Sequence, residues 1–327
     1  MITSRLQRHL LPCLLLVLGV VGSVSDVNAQ SANAIRIVVP YGPGSPPDVV
    51  SRIIASELAE SAGWRITVEN RPGALATIAM GDVLKQPTDG RTVILLDIAM
   101  AAAPAVFPHL GLRVENDFAP VIQISRECNV LVVNPSVPAR SVAELVAVLK
   151  SQPDRFTFSS GPFGTPAHLI GEMFKLQTGV RATHVPYQGA QQRLIDLIAG
   201  TNQVDFLSTS LAVDLIATGK LRALAVTAPT RVAALKDVPT VVEQGFPEIV
   251  VEGWFGLAVR SGTAAEAITR LNKAVNTVLA KQRIHDALAK LGGEPVGGSS
   301  AEFETLVKAQ VAHWGRVVRE SGITMPR

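Results

Sequence analysis

Cysteine is almost absent from this chain, which carries Cys13 and Cys128 alone. Cys13 falls inside an N-terminal apolar run, so a processed chain would keep Cys128 only and could form no internal disulfide, even in an oxidising compartment. The fold must therefore be held by its core. Aromatic residues are scarce at 5%, with just two tyrosines, and no run of Lys or Arg occurs. Nucleic-acid binding requires a clustered basic stripe to neutralise phosphates, so that class is excluded. Past the leader, no stretch approaches membrane-spanning length without a charge, Pro or Gly, and the 47% hydrophobic composition signals a core rather than a membrane segment. Roughly 300 residues of this kind exceed one compact core and favour two lobes.

Catalytic templates are missing too. The sequence contains no H-E-x-x-H, C-x-x-C, G-x-S-x-G or G-x-x-x-x-G-K-[ST]. Gly42-Pro43-Gly44 begins like a dinucleotide fingerprint, but Pro47 stands where its third glycine belongs and Pro46 stiffens the turn. His109, His168, His184, His285 and His313 are scattered without metal-ligand spacing, so no metal or cofactor is indicated. The least poor catalytic pair is Ser160 with His168, eight residues apart, with no evident acid to orient the imidazole; a periplasmic hydrolase would rest on that pair.

What is present begins at the N-terminus. Arg5, Arg8 and His9 precede an apolar run from Leu10 to Val21, and a polar stretch ends at Val27-Asn28-Ala29. That order is a secretory signal peptide over residues 1–29, its apolar run too short to span a bilayer as a helix. Leu-Leu-Pro before Cys13 does not match a lipoprotein processing site. Cleavage after Ala29 removes Arg5, Arg8 and Asp26, leaving 28 basic and 26 acidic residues, a net of +2. The expectation is an exported periplasmic protein with no membrane insertion after cleavage.

Strand and helix signals alternate along the remainder. Ile35–Pro40 is a β-branched run followed by the loop Tyr41-Gly42-Pro43-Gly44-Ser45-Pro46-Pro47, and helical spacing starts at Asp48 with Val49, Ile53, Ile54 and Leu58. Residues 64–69 and 92–96 repeat the cycle, which predicts an α/β lobe with a largely parallel sheet. A second set follows: strands at 130–133, 156–159, 182–186, 204–207 and 221–227, and a capping-box pattern at Ser141–Glu144. Trp254–Val259 reads as one more strand, and helices dominate thereafter. Each tyrosine follows Val-Pro, as Val39-Pro40-Tyr41 and Val185-Pro186-Tyr187, either by coincidence or because two similar lobes present equivalent loops to one cleft.

Two Gly/Ser/Thr/Pro loops feed helices, residues 41–48 and 159–166. A helix start offers unpaired N–H groups and a partial positive charge, which together receive a carboxylate without Lys or Arg. One such end per lobe would clamp an anion; alternatively both are ordinary capped helix starts.

The sequence resembles the Bug-type solute-binding receptors of tripartite tricarboxylate transporters over essentially the whole mature chain. The segments that carry the likeness include Ile37-Val38-Val39-Pro40-Tyr41, Val68-Glu69-Asn70-Arg71-Pro72-Gly73-Ala74, Asp117-Phe118-Ala119-Pro120-Val121, His184-Val185-Pro186-Tyr187, Asp237-Val238-Pro239-Thr240 and Trp254-Phe255-Gly256-Leu257. The resemblance implies a type II periplasmic-binding-protein fold, α/β, with two lobes, a ligand cleft between them and two crossover segments. On that basis lobe 1 takes residues 30–127, lobe 2 takes 128–227, and 228–327 return to lobe 1. It also implies a monomer that captures a small carboxylate and delivers it to inner-membrane transporter subunits, hinge closure being the motion. A ligand sensor for a membrane kinase would use the same closed form.

The ligand-contacting set implied by matching positions and the two loops is Tyr41, Gly44, Ser45, Asp48, Thr77, Ser160, Phe163, Gly164, Thr165, His168 and Tyr187. Three departures from the family pattern fall here. Ser45 replaces the second of two glycines, Leu75-Ala76-Thr77-Ile78-Ala79 stands for Gly-Gly-Asn-Ile-Gly, and Pro162-Phe163 replaces a segment in which Asn precedes the glycine. Fewer donors and a large apolar side chain suggest a ligand with one carboxylate and an apolar body. Alternatively, Phe163 packs beneath its loop and backbone donors hold an ordinary dicarboxylate.

Overall fold

The structure, a computed structural model, describes residues 34–323, so the signal peptide and Cys13 lie outside the described residues. β-Branched runs build the first strands: β1 (Ala34–Val39) buries Ile35, Ile37, Val38 and Val39, and pairs in parallel with β2 (Arg65–Asn70) and β3 (Thr92–Leu96). β3 continues antiparallel onto β9 (Glu252–Arg260), and β9 onto the first half of β4 (Phe118–Val133), with β10 (Gly293–Gly297) on that half of β4. The second half of β4 belongs to another sheet. It pairs antiparallel with β7 (Val204–Ser208) and β8 (Arg222–Val226), and β7 is followed by parallel β5 (Thr157–Ser160) and β6 (Thr183–Pro186). Each lobe thus holds a mixed sheet, not the largely parallel one expected, because the chain that crosses between lobes enters each sheet against its parallel trio.

The crossings are pinned to one another. Asn129 N–H donates to Thr227 Oγ1 at 3.0 Å, Thr227 N–H returns to Asn129 O, and Thr227 Oγ1 donates to Val251 O at 2.7 Å. A single buried threonine therefore couples the outgoing strand, the return strand and the segment leading to β9.

Two helices carry matching punctuation. α1 (Pro46–Ala62) starts after Ser45 with Pro at its first position and stops at Gly63, φ 65°. In the second lobe, α2 (Pro166–Thr178) starts after Thr165, again with Pro first, and stops at Gly179, φ 67°. Proline suits the first helical position because that N–H lacks an intrahelical partner in any case, and glycine accepts the left-handed exit. α1 begins two residues before Asp48, where the apolar spacing had placed its start. At Ser141 the hydroxyl accepts Glu144 N–H at 3.1 Å as expected, but the Glu144 carboxylate takes the N–H of Arg140, so half the capping box forms. The last helix, α3 (Ser300–Ser321), is closed by a full box between Ser299 and Glu302, and its Trp314 is fully buried in a core that includes residues of both lobes. Among the described residues, no helix is long and apolar enough to cross a membrane.

Candidate functional site

Both helix-opening turns follow one hydrogen-bond plan. In lobe 1, Ser45 Oγ donates to Gly42 O at 2.7 Å, and Gly44, at φ 78°, donates its N–H to the Asp48 carboxylate at 2.9 Å. In lobe 2, Thr165 Oγ1 donates to Pro162 O at 2.8 Å, and Gly164, at φ 80°, donates its N–H to His168 Nδ1 at 3.0 Å. The shared pattern is Gly-(Ser/Thr)-Pro-x-acceptor, which pairs residues 44–48 with 164–168. The two tyrosines are not the equivalent points that their Val-Pro prefixes suggested. Tyr41 follows β1 and its hydroxyl donates to Asp97, whereas Tyr187 follows β6, donates to Asp196 at 2.6 Å and accepts from Asn202.

Lobe 1 gathers its residues around Asp48. That carboxylate, buried at 2% exposure, accepts from Gly44 N–H, Asn70 Nδ2 at 2.8 Å and Arg52 Nε at 3.0 Å. Burial alone would raise its pKa, but the bonds from Arg52, Gly44 and Asn70 outweigh burial and hold it below the ordinary aspartate value. Asn70 also donates to Tyr41 O, tying the end of β2 to the turn. Beneath Tyr41, Asp97 caps the following helix by accepting Met100 N–H; burial pushes it up to about 6, partly offset by the Tyr41 hydroxyl and the backbone donors.

Lobe 2 gathers its residues around two imidazoles. His168 and His184 stack with ring centroids 4.2 Å apart, Phe158 stacks on the far side of His184 at 4.7 Å, and the Phe163 ring stands edge-on against both at 5.2 and 5.0 Å. Phe163 thus packs beneath its own loop. Burial drives both histidines toward the neutral form, His168 to about 4 with Lys175 adding, and His184 to about 3 with His168, Lys175 and Arg193 adding. Ser160 meets His184 at 2.7 Å, not His168 as chain proximity had suggested, because the β5–β6 register sets Phe158 opposite His184 two residues before Ser160. Ser160 is fully buried.

His168, Glu172 and His184 offer three donor atoms within 4.8 Å of one another, a spread that a small metal ion could bridge. The hydrogen bonds oppose it. His168 Nδ1 accepts Gly164 N–H, so a neutral ring carries its proton on Nε2, the atom facing Glu172 at 3.9 Å. Glu172 is taken by Lys175 Nζ at 2.9 Å. Ligation would require His168 to change tautomer and abandon the loop amide.

Across the candidate set, hydroxyl protons already face acceptors: Ser45 donates to Gly42 O, Thr165 to Pro162 O, Thr77 to Ala74 O and Tyr187 to Asp196. Ser160 is likewise engaged with Gly161 O and His184. The amides of Gly44 and Gly164 are also used. Pro46 and Pro47 remove two more donors from the start of α1, whereas Pro166 removes one from α2.

One connection between the lobes involves residues that sequence reading passed over as contacts. Ala74, Leu75 and Ala76 have φ of 45°, 50° and 67°, three successive non-glycine residues in the left-handed region, each costing roughly 1 kcal/mol or more. Leu75 from this turn rests on Gly164: a Cβ added to Gly164 would lie 2.3 Å from Leu75 Cδ1. Asn70, Asp97, His184 and Leu75 are each bonded to or packed against the residues predicted from the sequence. Asn70 at a strand end and His184, two register positions from Ser160, leave faint traces in the sequence; the trace of Leu75 is indirect, since Leu75-Ala76 stand where the family pattern has the two glycines that a left-handed turn favours.

Comparison with known proteins agrees with this architecture. A family model described as "Tripartite tricarboxylate transporter family receptor" matches residues 50–323. Protein BugT of Bordetella pertussis is 32% identical over 317 residues, covering 94% of this chain and 97% of that protein. Among solved structures, R. palustris Rpa4515 with adipate superposes with a TM-score of 0.80 at 34% identity, covering 89% of this chain and 98% of the other. MatC from Rhodopseudomonas palustris with bound malate gives 0.78 at 29% identity, covering 87% and 98%. The two-lobed fold, the paired turns and these likenesses converge: the chain belongs to the tripartite tricarboxylate transporter receptor family, the Bug-type periplasmic solute-binding proteins.

Proposed function

We propose that this protein is a periplasmic receptor that closes on a small carboxylate and passes it to inner-membrane transporter subunits, acting as a monomer and catalysing no reaction. The observation that carries the reading is the matched pair of Gly-(Ser/Thr)-Pro turns, one per lobe, each opening a helix. Their hydroxyls are tied into the loops, so an anion would be held by the remaining backbone amides and the positive helix starts. Relatives solved with adipate and malate support the ligand class. The eleven candidate residues divide into those that would line the cleft and those that shape it. Tyr187 and His168 belong to the second group, since their polar atoms serve Asp196, Asn202 and Gly164.

A hydrolase gains no support. Ser160 is enclosed, and an imidazole pushed to about 3 is a weak base at neutral pH. The proposed lobe limits at residues 127/128 and 227/228 lie beside the point where β4 leaves the first sheet after Cys128 for the second at Asn129, and beside the Thr227 junction.

Thermal unfolding of residues 30–327 against a panel of mono- and dicarboxylates tests the reading. A ligand at 100 times Kd stabilises by roughly 2.7 kcal/mol. The expected result is a clear rise in Tm with one acid class, the acid being recovered intact. No rise with any carboxylate, or consumption of the acid, would overturn it.

A further inference from the structure

Strain on a backbone persists where the surrounding structure has a use for it. Among the described residues, four non-glycine residues have positive φ, and three of them are consecutive: Ala74, Leu75 and Ala76. The middle residue is the one that reaches the other lobe. Its δ carbons occupy the space at 2.3 and 2.8 Å from where a Cβ on Gly164 would stand, so the leucine lies flat on a residue that can have no side chain. Gly164 itself is fixed, at φ 80° with its N–H held by His168. On the lobe 1 side, Thr77 Oγ1 donates to Ala74 O, and Ile78 fills the space over Gly73, so the turn is locked from both ends. A relaxed, right-handed turn would aim position 75 elsewhere.

We propose that Leu75 is a cross-lobe latch that also determines selectivity: held by the left-handed turn, it closes on Gly164 and gives the cleft an apolar wall, favouring a carboxylate whose far end is apolar over one that carries a second charge. The selectivity half of this inference rests on the carboxylate-receptor reading; the latch half does not. Phe163, the large apolar side chain of the lobe 2 loop, is committed edge-on to His168 and His184, and Leu75 is the side chain of the lobe 1 turn that meets that loop at Gly164.

Two measurements separate the halves. The first needs no ligand: Tm is measured for wild type, Leu75→Gly, Gly164→Ala and the double variant. Glycine is at ease at φ 50°, so Leu75→Gly folds without backbone penalty. The latch predicts that Gly164→Ala lowers Tm by several degrees when Leu75 is present and by less than half as much when residue 75 is glycine, where only the φ penalty at position 164 remains. Equal losses in both backgrounds overturn the latch. The second compares hexanoate with adipate by calorimetric titration. Wild type should prefer hexanoate, and Leu75→Gly should move the ratio of the two Kd values at least tenfold toward adipate. A wild-type preference for adipate, or a ratio changed less than twofold by the substitution, overturns the selectivity half. Should wild type bind neither these nor any other carboxylate, the receptor reading fails while the coupling between positions 75 and 164 still decides the latch.

Discussion

The turn Gly44–Asp48 closes on a carboxylate, and the turn Gly164–His168 closes on a neutral imidazole, although the backbone task is the same in both: to accept the N–H of a left-handed glycine four residues back. The difference lies in what each acceptor does to the helix start above it. Asp48 sets a negative charge in the first turn of α1, where the macrodipole favours it, and Arg52 and Asn70 share that charge. α2 has no acidic residue in its first turn and loses one amide to proline where α1 loses two. Lobe 1 thus carries its own anion at the helix end, while lobe 2 leaves the end uncompensated. A carboxylate entering the proposed cleft would meet less fixed negative charge, and more free amide, in lobe 2.

Removing each acceptor should separate the two turns most strongly. Asp48→Ala leaves the Gly44 amide, Asn70 and Arg52 without their shared partner beside a buried site, and a loss on the order of 3 kcal/mol is expected in urea unfolding. His168→Ala strips one acceptor and a ring packed among His184 and Phe163, leaving no stranded charge, for a loss of roughly 2 kcal/mol. If the histidine variant lost as much as the aspartate one, the charged and neutral centres would not differ in the way described.

Acidity should sharpen the contrast, because the His168–His184 pair of lobe 2 and Asp97 of lobe 1 titrate in opposite senses. His168 and His184 hold folded pKa values of about 4 and about 3, below the value of roughly 6.5 for an unfolded histidine. Between those limits the unfolded chain binds protons that the folded one refuses, so this contribution is lost as pH falls from 6.5 toward 4. Asp97 is raised to about 6, so it binds a proton in the folded state that the unfolded chain releases. Its contribution is present below the unfolded value of about 3.9 and lost as pH rises through 6. His184→Gln should flatten the acid-side loss and Asp97→Asn, which can still cap its helix, the opposite slope, each by on the order of 1–2 kcal/mol in Tm-derived stability scanned from pH 4 to 8. Slopes unchanged by these substitutions would assign the titration to other groups.

Local chemistry was legible in the sequence, and pairing at a distance was not. The helix starts at residues 46 and 166 could be approached because Pro, Gly and hydroxyl residues act within a few positions, and β3 fell on Thr92–Leu96 as its β-branched run indicated. β10 was missed because Gly293-Glu294-Pro295 has no strand character of its own and extends only by pairing with β4. The first half of β4, interrupted by Pro120, was obscured for the same reason. Ser160 was matched to the nearer histidine, since register between parallel strands cannot be read from one chain segment. The Leu75 turn contradicts local preference outright, and such contradictions concentrate where a structure is shaped for function.

The smallest effect tests how alike the turns are beneath their different centres. Ser45 and Thr165 occupy the N-cap positions, yet neither side chain accepts a bond from the helix; each hydroxyl donates backward to the carbonyl three residues earlier, Gly42 O or Pro162 O. A cap whose oxygen serves an N–H of the first turn is worth about 1 kcal/mol, and these do not perform that task. Ser45→Ala and Thr165→Ala should each cost no more than about 0.5 kcal/mol, with the two values agreeing within error in urea unfolding. A full capping loss in one lobe alone would show that its hydroxyl turns forward onto the helix in solution, and the shared hydrogen-bond plan would hold for the other turn only.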